Sequence, residues 1–206
     1  MALSKIDVCN QALLRVGADA IASLDTSSDL DEGTVVEANL CNIFFDQALE
    51  ETMRIYPWNC CTERSIPVKL AEDPLFGYES AFQLPNDCMR VINVFDNTDQ
   101  DKNGIRWVVE GSKILCDYEI IYLKYVKKPT NVGELDALAV RALICNLALK
   151  LAVPLQLADD QAARIIAELE QVVLPSARSV DTIENKELLA EESAWINARN
   201  NDRPSW

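Results

Sequence analysis

There is no histidine in this chain. Its absence removes Ser-His-Asp and Cys-His nucleophilic sites, which use imidazole as the base, and it removes every histidine-ligated metal centre. Only carboxylate, Lys, Tyr or Cys chemistry stays open to an enzyme. Missing too is any apolar run of the roughly 18 residues needed to span a bilayer, so no membrane partner is expected. The N-terminus, Met1-Ala2-Leu3-Ser4-Lys5, has no basic region leading into an apolar core. No signal peptide is read there, and the expectation is synthesis in a cytoplasm. No C-x-x-C pair occurs among the seven cysteines, at 9, 41, 60, 61, 88, 116 and 145. With no histidine to complete a zinc site, reduced thiols on apolar faces are the plain reading, and neither a metal nor a cofactor is expected.

What is present describes a globular chain. Its 206 residues fit one domain, or one domain with an insertion. An apolar fraction of 49% supplies a core, and 25% charged residues with mean hydropathy −0.03 fit a solvated surface. The net charge of −14 is uneven. Acids outnumber bases 10 to 3 over residues 1–60 and 10 to 5 over 157–206, but only 11 to 9 over 62–132. A protein that grips nucleic acid gains most of its affinity by neutralising phosphates with Lys and Arg, so this balance argues against one. A solvated acidic surface is the plain reading of the excess.

Ser4 and Asp7 have capping-box spacing ahead of a first helix, with Ile6, Cys9, Leu13 and Val16 as its apolar stripe and Gly17 as its stop. Ala18–Asp31 reads as a loop anchored by Ile21 and Leu24, with cap candidates at Thr26-Ser27-Ser28-Asp29. From Thr34 the apolar residues Val35, Val36, Leu40, Cys41, Phe44, Phe45, Ala48, Leu49 and Met53 recur at helical spacing over a wide face. Pro57 lacks an amide hydrogen and restricts the residue before it, so this helix should stop at Ile55 or Tyr56.

Strand signals follow. Thr62–Leu70 holds Pro67, which argues for a sheet edge. Ala71–Tyr78 reads as loop, and Ala81–Leu84 as a short strand closed by a turn. Met89–Phe95 alternates Met89, Val91, Asn93 and Phe95 against Arg90, Ile92 and Val94. Trp107–Cys116 reads as a hairpin turning at Gly111-Ser112. Glu119–Val126 alternates Ile120, Tyr122, Lys124 and Val126 against Ile121, Leu123 and Tyr125. These make about five strands in a small antiparallel sheet or sandwich. Helix resumes near Glu134, runs to Val153 and stops at Pro154. A fourth helix, capped by Asp159 or Asp160, carries Ile165, Ile166, Leu169, Val172 and Val173, with a kink or break expected at Pro175. Leu188, Leu189, Trp195, Ile196 and Trp206 are large apolar groups on a polar tail, a pattern that fits contact with a partner. The expected fold is therefore α+β and mainly α. Residues 1–60 and 130–206 form an antiparallel helical bundle, and 61–129 an inserted small antiparallel β module.

The chain resembles the tail tubular protein A family, the head-to-tail adaptors or connectors of short-tailed bacteriophages. The likeness covers roughly residues 3–184. It is carried by Ala48-Leu49-Glu50 leading into Tyr56-Pro57-Trp58-Asn59, by Phe82-Gln83-Leu84-Pro85-Asn86-Asp87-Cys88-Met89-Arg90-Val91, by Trp107-Val108-Val109-Glu110-Gly111 and by Leu147-Ala148-Leu149-Lys150-Leu151-Ala152-Val153-Pro154-Leu155. The resemblance implies a structural virion protein forming a homo-oligomeric ring, usually of twelve subunits, between the portal and the tail nozzle. It implies a helical ring body, a projecting β module, and a C-terminal segment that reaches the portal, with genome DNA transiting the channel unbound. It carries over no catalytic residues. Tyr56, Pro57 and Trp58 become the bundle-to-module junction, and Leu188, Leu189, Trp195, Ile196 and Trp206 the expected portal or assembly contacts. Part of the acidic excess is expected to face the lumen, where it would repel phosphates. The plain reading of Trp58 and Trp107 is as core aromatics.

Three rivals stand beside this. An enzyme would rest on carboxylate pairs such as Glu50 with Glu51 or Asp159 with Asp160, but adjacent helical residues point apart. A non-phage helical scaffold or binding protein is the second. The third is the all-helical head-completion connector of long-tailed phages, which requires helix where residues 62–126 read as strand.

Overall fold

The computed structural model describes residues 3–25, 32–96 and 105–184. Ser4 opens helix α1 (Lys5–Arg15) with the expected capping box: its hydroxyl accepts from the Asp7 amide, and the Asp7 carboxylate accepts from the Ser4 amide at 2.9 Å. Gly17 ends the helix at φ +77°, a left-handed conformation that glycine reaches without a Cβ penalty. Asn10 then stitches the following loop to the helix. Its amide donates to Ile21 O at 3.0 Å, and its carbonyl accepts from Ile21 N at 2.8 Å. Ile21 is buried and Leu24 packs on the same core, so both anchors of the loop hold. The cap candidates at 26–29 lie outside the described residues.

Helix α2 (Glu32–Ile55) ends where Pro57 requires. Helix α3 (Ala137–Ala152) follows a 3-10 turn at Val132–Glu134 and is capped by Asp136, whose carboxylate accepts from Ala139 N at 2.7 Å. Leu143, Leu147 and Leu151 of α3 are fully enclosed where it packs against α1 and α2. Truncating any one to Ala would cost about 2–5 kcal/mol in lost transfer energy and cavity.

Helix α4 (Asp159–Glu168) runs through a π-helical turn, Leu169–Val173, directly into α5 (Leu174–Glu184). No side chain caps it: the N-cap is Ala158, and Asp159 and Asp160 sit in the first turn, where their charge favours the helix dipole. Pro175 does not break the helix. In a regular turn its ring would meet the carbonyl of residue 171, and the widened turn just before it relieves that clash.

Among the described residues, six strands follow α2: β1 (Thr62–Ser65), β2 (Ser80–Gln83), β3 (Cys88–Phe95), β4 (Trp107–Glu110), β5 (Lys113–Cys116) and β6 (Tyr122–Lys127). They form two three-stranded antiparallel sheets, in the orders β1-β6-β3 and β2-β5-β4. The β4–β5 hairpin turns at Gly111, φ +59°, as its sequence predicts. Strand β1 is a sheet edge, but it ends at Ser65; beyond it Ile66 and Val68 are exposed, and the backbone at Lys69 forms an isolated bridge with Phe82 rather than a continued strand.

The expectation of a mainly helical bundle with a small inserted β module is corrected here. With α4–α5 taken as one, the described residues hold four helices and two sheets, 48% helix and 19% strand, a mixed α and β fold. The physical reason is that the first sheet is structural on both faces. Val126 and Cys61 belong to the helical core, with Met89 and Ile92 packed on it. Leu123, Tyr125 and Val94 instead join Phe82, Ile114 and Cys116 of the second sheet in a separate core. The β1-β6-β3 sheet is thus a middle layer between helices and the outer sheet.

Glu168 joins three helices. Arg15 holds it through two nitrogens, at 2.7 and 3.2 Å, and Arg141 donates to it at 2.8 Å. The hydrogen bond from Arg15 is the main reason that its carboxyl lies below the usual carboxylate value, with a second contribution from Arg141 opposed by desolvation. A depressed carboxylate contributes stability above its unfolded value, near 4.5, and loses it as pH falls through the folded one. Glu168→Gln should therefore cost about 1–2 kcal/mol at neutral pH, allowing for partial exposure, and flatten the acid limb of the thermal-denaturation profile. Unchanged melting across the acid range would count against this clamp.

Candidate functional site

The end of α2 leaves its last four carbonyls without partners inside the helix. Trp58 answers one of them. Its indole Nε1 donates to Thr52 O at 2.8 Å, while the ring is buried in the helical core at 1% exposure. The backbone folds tightly beside it: Trp58 N donates to Tyr56 O at 3.0 Å, and Cys61 N to Trp58 O at 3.1 Å, closing the 3-10 turn Asn59–Cys61. Thr62 Oγ1 donates to the same Trp58 carbonyl at 3.0 Å, and Thr62 begins β1. Within a few residues of the end of α2, the chain is already in a sheet.

Thr52 is a polar residue enclosed in an apolar core. Its hydroxyl donates to Ala48 O at 2.7 Å and accepts from Asn146 Nδ2 of α3 at 2.8 Å. These bonds pair the Thr52 hydroxyl, the Asn146 amide and the Trp58 indole, which lets polar groups stay buried and fixes the register of α2 on α3. Tyr56 meets Trp58 edge-on, with centroids 5.0 Å apart at 73°. Its hydroxyl lies beside the Asp181 carboxylate on α5. Arginines cross on the other side: Arg54 Nη1 donates to Met89 O at 3.0 Å, and Arg90 Nη1 to Arg54 O at 3.3 Å, joining the end of α2 to β3. The junction therefore links α2, α3, α5, β1 and β3.

Of the residues that the sequence singles out, Tyr56, Pro57 and Trp58 come together at this point. Leu188, Leu189, Trp195, Ile196 and Trp206 lie outside the described residues. Sequence reasoning misses Thr52, Asn146 and Asp181, although each is a polar residue on an otherwise apolar helical face, and that is the signal that finds them. The carboxylate pairs do not converge: Glu50 pairs with Lys128 and Glu51 with Lys150, each at 2.7 Å, while Asp160 faces Arg164 on its own helix. The cysteines are free thiols, and burial pushes Cys88 up to about 11. Among the described residues, no group of three Cys, Asp or Glu side chains is placed to hold a metal ion, and no helix is long and apolar enough to cross a membrane.

Asp181 is the strained member of the junction. It is 7% exposed, and its Oδ2 has no hydrogen-bond partner. Burial holds its carboxyl above the usual range, with Asp136 and Glu184 adding repulsion and the Tyr56 hydroxyl opposing. Burial is also the largest cause of the raised Tyr56 phenol. A raised carboxyl makes the folded state the better proton binder. Its contribution is greatest at acid pH and is lost as pH rises through the folded value. Asp181→Asn, which keeps an acceptor for Tyr56 and removes the charge, should raise the melting temperature at neutral pH and leave it nearly unchanged in acid. A variant that melts lower at pH 7 would show that the charge is needed.

For Trp58 the expected outcomes separate packing from the hydrogen bond. Trp58→Ala should cost about 3–5 kcal/mol. Trp58→Phe, which mainly loses the bond to Thr52 O, should cost about 1–3 kcal/mol, read by urea denaturation. A Phe variant as stable as wild type would mean that the indole nitrogen contributes nothing.

No protein-family model matches the chain, and no curated protein matches it.

Proposed function

We propose that the chain is a structural head-to-tail adaptor of a short-tailed bacteriophage virion, made in the bacterial cytoplasm and placed as a homo-oligomeric ring between portal and tail nozzle. The observation that carries the reading is the layout around the junction. Helices, an abrupt stop at Tyr56-Pro57-Trp58-Asn59, a strand module and further helices occur in the order that the resembling family uses. The strands at 62–127 favour it over the all-helical connector of long-tailed phages, which has no place for two antiparallel sheets.

The role is mechanical rather than catalytic. A ring subunit must hold its layers at a fixed angle while neighbours and partners load it, and the Trp58 junction ties α2 to α3 and to the middle sheet through short hydrogen bonds. Carboxylates that could act as a pair are tied to separate lysines instead. The acidic excess concentrated in residues 1–60 and 157–206 suits a channel that passes DNA without holding it. The portal, the nozzle protein and a second copy of the chain are the partners in this reading.

Negative-stain imaging of the purified protein mixed with its portal tests the proposal. Rings seated on the portal, with acids concentrated on the inner wall once subunits are fitted, are the expected result. A portal that stays bare at saturating protein would overturn it. A monomeric free protein would not, because such a ring can need the portal as template.

A further inference from the structure

Residues 71–78 form a loop whose tip is bare. Leu75 is 98% exposed and Phe76 88%, large apolar side chains that a monomer gains nothing by presenting together. The loop is nonetheless held in shape at its base. Leu70 N donates to Ala81 O at 2.8 Å, and Gln83 N to Val68 O at 2.9 Å, zipping its two ends together. Arg106 stacks on the Tyr78 ring at 4.8 Å, and Glu79 N donates to Asp117 at 3.2 Å. Gly77, at φ +85°, supplies a turn that a side-chain-bearing residue would strain. The tip is preorganised, which lowers the entropic cost of docking it.

A cleft elsewhere on the same chain complements it. It has a volume of about 1060 Å³ and lies between the start of α1, the middle of α2 and the β6–α3 connection. Leu3, Phe45, Leu49 and Val132 give it an apolar floor. Lys5, Lys127 and Lys128 outnumber Asp46 and Asp87 on its walls, an inversion in a chain of net charge −14. Lys127 and Lys128 reach glutamates, but Lys5 lies over the Phe45 ring at 4.6 Å. The loop brings the opposite pattern: Glu72 and Asp73 precede Pro74-Leu75-Phe76, with no base among residues 71–78. Two other clefts, one beside the loop itself and one beside β1, lack a basic excess and suit an acidic loop less.

We propose that the Leu75–Phe76 tip of one copy docks into the Phe45–Val132 cleft of a second copy. Tip and cleft share no residue, so the contact is heterologous: each copy offers both halves, and repetition runs head to tail until rotation closes a ring. The inference rests on the adaptor reading only for closure. Pairing of copies stands on the tip and the cleft alone.

Sedimentation velocity on the full chain, over a rising concentration series, tests it with two variants. Leu75→Ser/Phe76→Ser blunts the tip, at exposed positions where folding is not at stake. Thr130→Trp fills the cleft, at an exposed residue that contributes only its backbone amide to a hydrogen bond. Circular dichroism verifies that both are folded. Wild type should associate progressively, and each variant alone at least tenfold more weakly. A mixture of the two should form one-to-one pairs and nothing larger, because only one productive tip and one productive cleft remain. Wild type that stays monomeric throughout, variants that associate like wild type, or a mixture that does not pair would each overturn the proposal. If the tip variant still forms rings on a portal, this contact fails and the adaptor reading survives. If copies pair as expected but never bind a portal, the contact stands and the adaptor reading fails.

Discussion

One indole nitrogen sets the geometry of this molecule. A helix that ends inside a protein leaves carbonyls to be satisfied, and Thr52, in the last turn of α2, is enclosed in the helical core. Trp58 satisfies Thr52 O from the side and fills the space under the turn with its ring. Because the same residue's carbonyl accepts from both Cys61 N and Thr62 Oγ1, the direction in which the chain leaves the helix is tied to the position of the indole. Pro57 stops the helix, but the tryptophan determines where the sheet goes.

From that point the layers follow in order. Strand β6 is central in its sheet and alternates between two cores, with Val126 toward the helices and Leu123 and Tyr125 toward the outer sheet. A strand buried on both faces transmits position rigidly, since packed interiors do not deform smoothly. The angle fixed at Trp58 is therefore passed through β6 to the outer sheet and to the loop at 71–78. The Arg54–Arg90 exchange of carbonyl bonds gives β3 its own link to the end of α2, so the middle sheet is held to that helix at two places.

Much of this is legible in the sequence because it rests on local chemistry. The capping box at Ser4 and Asp7, the stop at Pro57, the Gly111 turn and the two faces of β6 each follow from residue type and short spacing. Strand β3 shows where such reading stops. Strict alternation groups Met89 with Val91 and Asn93, yet Met89 and Ile92 face the helical core while Cys88, Val91 and Val94 face the other. Two register shifts, between Cys88 and Arg90 and between Val91 and Asn93, change the side-chain period from two to three. Bulges of this kind are set by the partner strand and leave no mark in the residues themselves. The π turn before Pro175 is similar: proline announces trouble, but only packing against α3 decides between a break and a widened turn.

The fold class is harder to read from sequence for a related reason. Long helices carry strong periodic signals and short strands weak ones, so patterning overweights the helical share and leaves open whether the strands make one sheet or two. The consequence is functional as well as descriptive. An insert that merely decorates a bundle could move freely on it. A middle sheet whose Val126 lies in the helical core beside Cys61 cannot move without opening that core. Asp181 then marks a place where the junction gives something up: its buried Oδ2 lacks a partner, and it sits on α5, the last described helix. The unpartnered carboxylate thus loads α5, where local loosening would leave the bond from Trp58 to Thr52 O in place.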